Sequence, residues 1–366
     1  MTRASRQRMA AWGAVAGVLL IVIAARLVVL YEPNTFLAAD SNYYAETAIS
    51  LITDHDLDLR NQLQGGLARH DGEVALGARG EWYPKHPILM PILTLPLLPL
   101  FGMKAFLVFN LIVLVGLGLT LYELAALAAR PASAVGGTLA TILGSFLILY
   151  DYNYSSNLFA CLLLCLSVLF VSGGRPVLSG LLGGLSGLAS MPQLVVLPFL
   201  MLHAGWRNGT RAALRFLAGA AVPLALLGAL NFHMFGSPLV SPYMRALTLA
   251  DGGTVLHSNT DDFNNPLWEG VRGQLLDPRR GLVRTAPLLL LALPGYLIWL
   301  RARRDEAALC LTVSLVLFLV FSRYRLWPTS QVGNRFLMPL VALSAPALAC
   351  ALQWTYDRAR RWSAES

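Results

Sequence analysis

Two groups of side chains near the start of the chain have the types and placement for chemistry at a membrane surface. The first is the lone acid of Ala38-Ala39-Asp40-Ser41-Asn42-Tyr43-Tyr44, just past a membrane-length apolar run. The second is Trp82-Tyr83-Pro84-Lys85-His86-Pro87, at the entrance to a proline-studded apolar segment. A carboxylate can take a proton from a hydroxyl, and a lysine is a point-charge phosphate binder. One acid and one cationic group at a bilayer surface therefore suit chemistry on a lipid-linked phosphate. Each residue also has a structural reading. Asp40 is a favoured helix cap for Ser41 onward, Tyr43 and Tyr44 suit an interfacial aromatic belt, and a lysine beside lipid snorkels to headgroups. The prolines flanking Lys85 and His86 restrict the local backbone and hold the lysine in place.

Other candidates lie further along. Asp151 ends an apolar run in Leu149-Tyr150-Asp151-Tyr152-Asn153-Tyr154, where tyrosines and amides suit sugar hydroxyls, and where capping the next helix is an equal reading. Tyr43, Tyr44, Asn153, Tyr154 and Tyr243 are the candidate sugar or acceptor contacts. Arg279, Arg280 and Arg284 cluster before a span, on a side where the positive-inside rule disfavours arginine, so an anionic ligand is expected near them. The same holds for Arg323, Arg325 and Arg335. Asp54, Asp56 and Asp58 alternate as in a metal loop, but no glycine-turned loop or distal glutamate follows, and a solvated stretch is expected. No P-loop, Gly-x-Ser-x-Gly elbow or His-Glu-x-x-His is present, so nucleotide hydrolysis and zinc proteolysis have no support.

These residues must be positioned by helices. The 366 residues are 56% hydrophobic and only 13% charged, whereas a soluble domain carries about a quarter charged residues. Several runs exceed the roughly 18 apolar residues of a bilayer span, and helices satisfy their own backbone there. The fold class expected is an all-α polytopic membrane protein, one domain over 1–366. Ten spans are read at roughly 10–31, 104–128, 133–150, 155–172, 176–190, 192–205, 212–235, 282–300, 306–322 and 336–355. The segment 86–101 holds Pro87, Pro91, Pro96 and Pro99, and is placed as a juxtamembrane element. Residues 176–205 are split at Met191-Pro192-Gln193. The start, with Arg3, Arg6 and Arg8 before a run too long for a typical signal peptide, is read as a retained first helix.

With these choices Arg130, Arg175, Arg207 to Arg215, Arg301 to Arg304 and Arg358 to Arg361 share the side of the N-terminus. Both termini are then cytoplasmic, in a bacterial-type inner membrane. The loops 32–103 and 236–281 form a non-cytoplasmic, active-site face. The net charge of +8 follows these cytoplasmic flanks and implies no nucleic acid. Cys161, Cys165, Cys310 and Cys350 all lie in apolar segments, as free structural thiols do. The small residues of Gly180-Leu181-Leu182-Gly183-Gly184 read as helix packing.

Four stretches resemble the polytopic GT-C glycosyltransferases that use polyprenyl-phosphate sugars, of the lipid A aminoarabinose transferase and protein O-mannosyltransferase type. They are the post-span Asp40, Tyr83-Pro84-Lys85-His86-Pro87, Asn231-Phe232-His233-Met234-Phe235-Gly236-Ser237-Pro238, and Gly333-Asn334-Arg335-Phe336-Leu337-Met338-Pro339. The resemblance implies a GT-C-like bundle with juxtamembrane helices in the first outer loop. It implies that Asp40 is the first-loop catalytic acid, Lys85 the lysine on the lipid phosphate, and Asp151 the second-loop acid. His86, Arg279, Arg280 and Arg335 would join Lys85 on the donor phosphate. The partners implied are a polyprenyl-phosphate sugar donor, membrane lipids, and a glycan, lipid or protein acceptor. No cofactor is expected, and a divalent metal is not favoured if these cations suffice. Two departures stand out. The lysine is followed by His86-Pro87 rather than a double proline, and no large C-terminal soluble domain follows, which leaves the acceptor open. The alternative is a transporter or flippase of a lipid-linked or anionic substrate. That function predicts charges near the bilayer midplane, where this sequence has few, Arg26 and Glu123 among them.

Overall fold

The computed structural model describes residues 3–30, 37, 40–65, 73–250, 253–329 and 333–365. In chain order the helices are α1 (Arg3–Leu30), α2 (Asp40–Thr53), α3 (Arg60–Gly65), α4 (Leu89–Thr94), α5 (Leu98–Phe101), α6 (Ala105–Ala126), α7 (Pro131–Leu143), α8 (Ser156–Ser172) and α9 (Pro176–Ala189). They continue as α10 (Leu197–Asn208), α11 (Thr210–Phe235), α12 (Leu267–Leu276), α13 (Leu282–Thr285), α14 (Leu289–Ala302), α15 (Arg304–Ser322), α16 (Met338–Ala342) and α17 (Ala345–Glu365). Four strands, β1 (Glu73–Leu76), β2 (Trp82–Pro84), β3 (Ala246–Ala250) and β4 (Gly253–His257), complete the fold.

The apolar runs become helices packed around one continuous core that draws on α1, α6, α7, α8, α15 and α17 among others. All four cysteines are buried and free within it. Fewer segments than the ten expected are long enough to cross a bilayer. Among the described residues, four stretches qualify by length and composition: Ser5–Val29, Leu89–Ala126, Thr210–Phe235 and Arg304–Ser322. A pair bent by 42°, Arg335–Ala342 with Ala345–Ala364, makes a fifth if counted as one. The helices α7, α8, α9 and α14 are apolar but short. Turns at Gly144, Gly173 and Ser190 stop the first three, and Arg303 ends α14, before they reach about 18 residues.

The segment 86–101 is more closely joined to its successor than the sequence suggests. Helices α4 and α5, separated by a 3₁₀ turn at Leu95–Leu97, run through a second turn at Gly102–Lys104 into α6. A straight rod of the 38 residues in Leu89–Ala126 would measure about 57 Å, against roughly 30 Å of hydrocarbon. Its proline-rich first part must therefore run obliquely or lie beyond the apolar layer. The chain breaks at Met191, as the proline there implies, with a 3₁₀ turn at Met191–Val196 between α9 and α10.

Helices α9 and α11 pack through glycine. A Cβ at Gly180 would collide with the carbonyl oxygen of Phe216, and one at Gly219 with that of Val177. Small residues allow such close backbone approach. Gly180→Ala should therefore push the two helices apart and lower stability by about 1–3 kcal/mol, as overpacking does. Thermal unfolding in detergent checks this, and an unchanged midpoint would mean that the contact is looser than it looks.

A small sheet is the element the all-helical expectation lacks. Its order is β2-β1-β3-β4, antiparallel throughout, with Val74 opposite Leu247 and Ala75 opposite both Tyr83 and Ala246. Alternation sorts its two faces. Val74 and Leu247 pack on Leu59 and Leu63, while Ala75 and Tyr83 pack on Met234 and Phe235 at the end of α11. The sheet thus welds the first polar loop to the one after α11. Gly236 ends α11 at φ +74, a left-handed conformation that glycine adopts without strain. Two residues earlier, in the last turn, the Met234 carbonyl accepts the Ala78 N–H at 2.9 Å.

Candidate functional site

Four charged or titratable side chains converge from three separate places. Asp40 stands in the first turn of α2, where the helix dipole favours an acid. Lys85 and His86 follow directly on β2. That strand is held in place by a Trp82 N–H bond to the Asp58 carboxylate and by the Leu59 N–H bond to the Trp82 carbonyl. Arg335 opens a 3₁₀ turn capped by Asn334, whose Oδ1 accepts from the Phe336 N–H at 3.2 Å. Gly333 before it takes φ +58 against the Phe146 ring, a site with no room for a Cβ.

The geometry is that of a carboxylate set among basic side chains. Arg335 Nη1 lies 2.7 Å from Asp40 Oδ2, and His86 Nε2 lies 3.9 Å from Asp40 Oδ1. The Asp40 and Arg335 side chains keep 30% and 20% of their exposure, so both reach solvent space. The ring of His86 packs on Tyr44 at 5.3 Å and on Tyr43 at 6.2 Å. The Tyr44 hydroxyl shares a 2.6 Å hydrogen bond with Ser156 Oγ, which ties α2 to the start of α8. The Arg335 guanidinium also lies over the Phe336 ring, 5.2 Å from its centroid.

Burial opposes ionisation of Asp40. At the acid pH where Asp40 titrates, attraction to the protonated His86 ring, to Arg335 and to Lys85, with the Arg335 hydrogen bond, outweighs it and holds the carboxyl below its usual value. Burial pushes His86 down to about 4, against the pull of Asp40, so its imidazole is neutral at pH 7. Burial likewise lowers Lys85 to about 8, with Asp40 and Asp262 opposing the fall. At neutral pH the cluster therefore holds one carboxylate and two cations.

These groups line a cavity of about 690 Å³, within the range of small-molecule sites. Tyr43, Tyr44 and Tyr243 line it too. Among the described residues that line it, Asp40 is the one carboxylate. A smaller apolar cavity of about 60 Å³ adjoins it, sharing Lys85, His86, Met191 and Tyr243. It runs between the start of α4 and the Leu226–Met234 face of α11.

Several candidates go elsewhere. Asp151, expected as the second acid, is no part of the cavity lining. Its side chain is 1% exposed and carries a two-pronged bond from Arg26, at 2.7 and 3.1 Å. An arginine on the apolar helix α1 needs a counter-charge inside the bundle, and Asp151 supplies it. Asn110 Nδ2 fixes the same turn through the Tyr150 and Asp151 carbonyls, at 2.5 and 2.9 Å. Asn153 accepts from Ser41 Oγ at 3.1 Å, and the buried Tyr154 hydroxyl meets Thr94 at 2.7 Å. Both brace the wall behind the cavity rather than lining it. Arg279 and Arg280 also lie outside the lining, where their N–H groups bond the Asp277 carboxylate in the turn after α12. Asp54, Asp56 and Asp58 bond their own loop through Asn61, Ser50 and Trp82.

Other lining residues carried no individual signal in the sequence. Ser190 enters at the α9–α10 break, and Asn259 and Thr260 come from the turn after β4. That turn is clamped to the segment after α15: Arg325 Nη2 bonds Asp262 Oδ1 at 2.9 Å, and the Arg325 N–H bonds the Asp262 carbonyl at 2.7 Å. Thus Tyr324 and Thr329 also reach the cavity. Only the proline beside Ser190 and the general polarity of loop 236–281 hinted at these walls.

Residues 86–323 match the sequence profile of glycosyltransferase family 87. No curated protein matches the chain by sequence. Among solved structures, the chain resembles the apo oligosaccharyltransferase of Archaeoglobus fulgidus, with TM-score 0.64 and 13% identity, over 98% of this chain and 51% of that one. It resembles ArnT from Cupriavidus metallidurans, solved with undecaprenyl phosphate, with TM-score 0.55 and 14% identity, over 92% of this chain and 61% of that one. A third likeness is to archaeal oligosaccharyltransferase AglB from Archaeoglobus fulgidus with an inhibitory peptide and a dolichol-phosphate, at TM-score 0.59 and 13% identity, over 100% of this chain and 52% of that one. The chain thus spans about half to three-fifths of the length of these structures. The shared feature is the GT-C fold.

Proposed function

Since the chain belongs to glycosyltransferase family 87, we propose that its cavity transfers a sugar from a polyprenyl-phosphate donor to a hydroxyl acceptor at the non-cytoplasmic face of a bacterial-type inner membrane. Family membership already makes it an enzyme rather than a transporter. The observation that carries the reading is the one carboxylate among the described lining residues, set among Lys85, His86 and Arg335 in a cavity that adjoins an apolar one. The structural neighbours solved with undecaprenyl phosphate and dolichol-phosphate support the choice of donor.

In this reaction the acceptor O–H proton passes to an Asp40 carboxylate oxygen. The acceptor oxygen bonds the anomeric carbon as the bond from that carbon to the phosphate oxygen breaks. The electron pair leaves with polyprenyl phosphate, whose growing charge meets Lys85 and Arg335. His86 is neutral and contributes a polar ring beside Asp40 rather than a charge. The small apolar cavity along α4 and α11 takes the first prenyl units. Tyr43, Tyr44, Tyr243 and the amide and hydroxyl groups of Asn259 and Thr260 face the sugar and the acceptor. The direct test incubates purified protein with a panel of polyprenyl-phosphate sugars. Release of polyprenyl phosphate, dependent on acceptor, is expected for at least one. Turnover with nucleotide sugars alone would reject the donor class.

Both termini are placed in the cytoplasm on the arginine pattern. The four native cysteines are buried, so an introduced thiol reports cleanly. Ala78 is exposed at the β1–β2 turn beside the active-site face. Ala78→Cys in intact cells or oriented vesicles should react with an impermeant maleimide from outside. Reaction only after the cytoplasmic side is opened would invert the topology.

A further inference from the structure

We propose that Arg335 couples donor binding to activation of the base: it is the counter-ion of Asp40, and the donor's phosphodiester takes it over. This rests on the reading of the cavity as a polyprenyl-phosphate site, and it adds an order of events and a positioning role for Arg335.

The inference begins with the 2.7 Å contact between Arg335 Nη1 and Asp40 Oδ2. A carboxylate held by a guanidinium is a weak base, because the pair stabilises its ionised form. Asp40 in this state is poorly suited to take a proton from an alcohol. Among the described residues, the same arginine is one of the two cations lining the space where a phosphate would enter, Lys85 being the other. A guanidinium presents a planar fork that fits a phosphate as well as a carboxylate. Both anions therefore compete for one cation. Because both side chains retain some exposure, the guanidinium can turn from one to the other without opening the core.

The groups facing Asp40 come from every neighbouring element. Arg335 comes from the turn before α16, Lys85 and His86 from the loop after β2, and Tyr43 and Tyr44 from α2 itself. Tyr243 comes from the turn before β3 and Tyr324 from the segment after α15. Asp262 acts on Lys85 from behind. No second carboxylate among the described lining residues replaces Asp40 as a partner for Arg335. When the phosphodiester draws Arg335 away, Asp40 loses its 2.7 Å ion-pair contact and becomes a better proton acceptor as the donor arrives. After transfer, the departing phosphate monoester has gained a negative charge and holds Arg335 still more firmly, while Asp40 carries the acceptor's proton. Loss of that proton to water and release of polyprenyl phosphate restore the ion pair. Donor therefore binds before the acceptor can be activated.

The competition has a consequence opposite to that of an ordinary binding residue: removing the Asp40 charge should tighten donor binding. The probe is farnesyl methyl phosphate, a prenyl phosphodiester with one fixed negative charge and no sugar to transfer. Its Kd is measured on detergent-purified wild type, Asp40→Asn, Arg335→Gln and the double variant. Asp40→Asn should bind it roughly tenfold more tightly, the lower end for a charge-assisted bond released to the ligand. Arg335→Gln should weaken binding, and in that background Asp40→Asn should change Kd by less than about twofold. Equal tightening in both backgrounds would reduce the effect to simple charge repulsion and overturn the coupling, as would unchanged or weaker binding by Asp40→Asn. A second measurement does not need the Asp40 variant to fold. The wild-type Kd should rise with pH through the titration of Asp40, below about pH 5, because protonated Asp40 leaves Arg335 to the probe. That limb should shrink in Arg335→Gln. A limb that survives unchanged there belongs to His86 and rejects the inference. If neither wild type nor Asp40→Asn binds the probe at any pH, the donor reading itself fails.

Discussion

Asp40→Asn should lose at least about a hundredfold in kcat while the protein still folds, extracts and binds donor. Asparagine keeps the shape of the side chain but cannot accept a proton, and a positioned base typically contributes about 10²–10⁴-fold. The structure sharpens this expectation, because the other candidate acid, Asp151, is committed to Arg26. Asparagine also caps helices about as well as aspartate. A purely structural role in the first turn of α2 would therefore leave Asp40→Asn nearly silent. Loss of the ion pair with Arg335 has its own cost. Breaking a fully buried pair costs about 3–5 kcal/mol, and the partial exposure of both partners brings this nearer the ~1 kcal/mol of a surface pair. Turnover and thermal stability measured together separate the roles. A stable and fully active Asp40→Asn enzyme would remove the base from the mechanism, with no other described carboxylate in the cavity to take its place.

Lys85→Ala should raise the KM for the donor, lower kcat/KM, or both, by about ten- to a hundredfold, the worth of a charge-assisted bond. A lysine snorkelling into headgroups would show no such effect, and the structure is against that role. Lys85 is 9% exposed and lines the cavity between Pro84 and Pro87. Its behaviour with pH offers an independent check. Burial lowers its pKa to about 8, with Asp40 and Asp262 resisting. A lysine is cationic below its pKa, so donor affinity should be complete at neutral pH and fall as pH rises through about 8. Lys85→Arg keeps its charge well above that range and should flatten this limb. Donor affinity that stays constant from pH 7 to 10 in the wild type would exclude Lys85 from the phosphate.

The site was legible wherever its members sit at a boundary between apolar and polar chain. Asp40 follows the first apolar run, Lys85 and His86 precede the second, and Arg335 lies in the loop before the last. Local chemistry marks such places: prolines at 84 and 87, a glycine at 333, an acid at a helix start. The same local signal misled at Asp151, which also ends an apolar run beside polar residues. What set it apart was Arg26, on a helix remote in sequence. Arg279 and Arg280 misled for a related reason, since a charge-rule mismatch says that arginines are exceptional without saying what they face. The sheet was missed because an apolar composition drew attention to helices. Yet Trp82-Tyr83 and the Asp251-Gly252 pair between the apolar stretches 246–250 and 253–257 are strand and hairpin signals.

The sequence by itself determined the helical membrane class, the break at Met191, the glycine contact surface of α9 and which residues are candidates for chemistry. Each depends on hydropathy, proline, glycine or charge within a few neighbouring residues, and those constraints act before the chain meets itself. Only the tertiary structure decided which charge met which. The bundle turned Arg26 onto Asp151 and Arg335 onto Asp40, so that one acid became a buried brace and the other an accessible carboxylate on the cavity wall. The strands β1 and β3 tied two distant loops into one face, and the Asp262–Arg325 clamp carried Asn259 and Tyr324 to the same cavity. Such pairings depend on distance and desolvation between elements far apart in the chain, and no local pattern of residues encodes them.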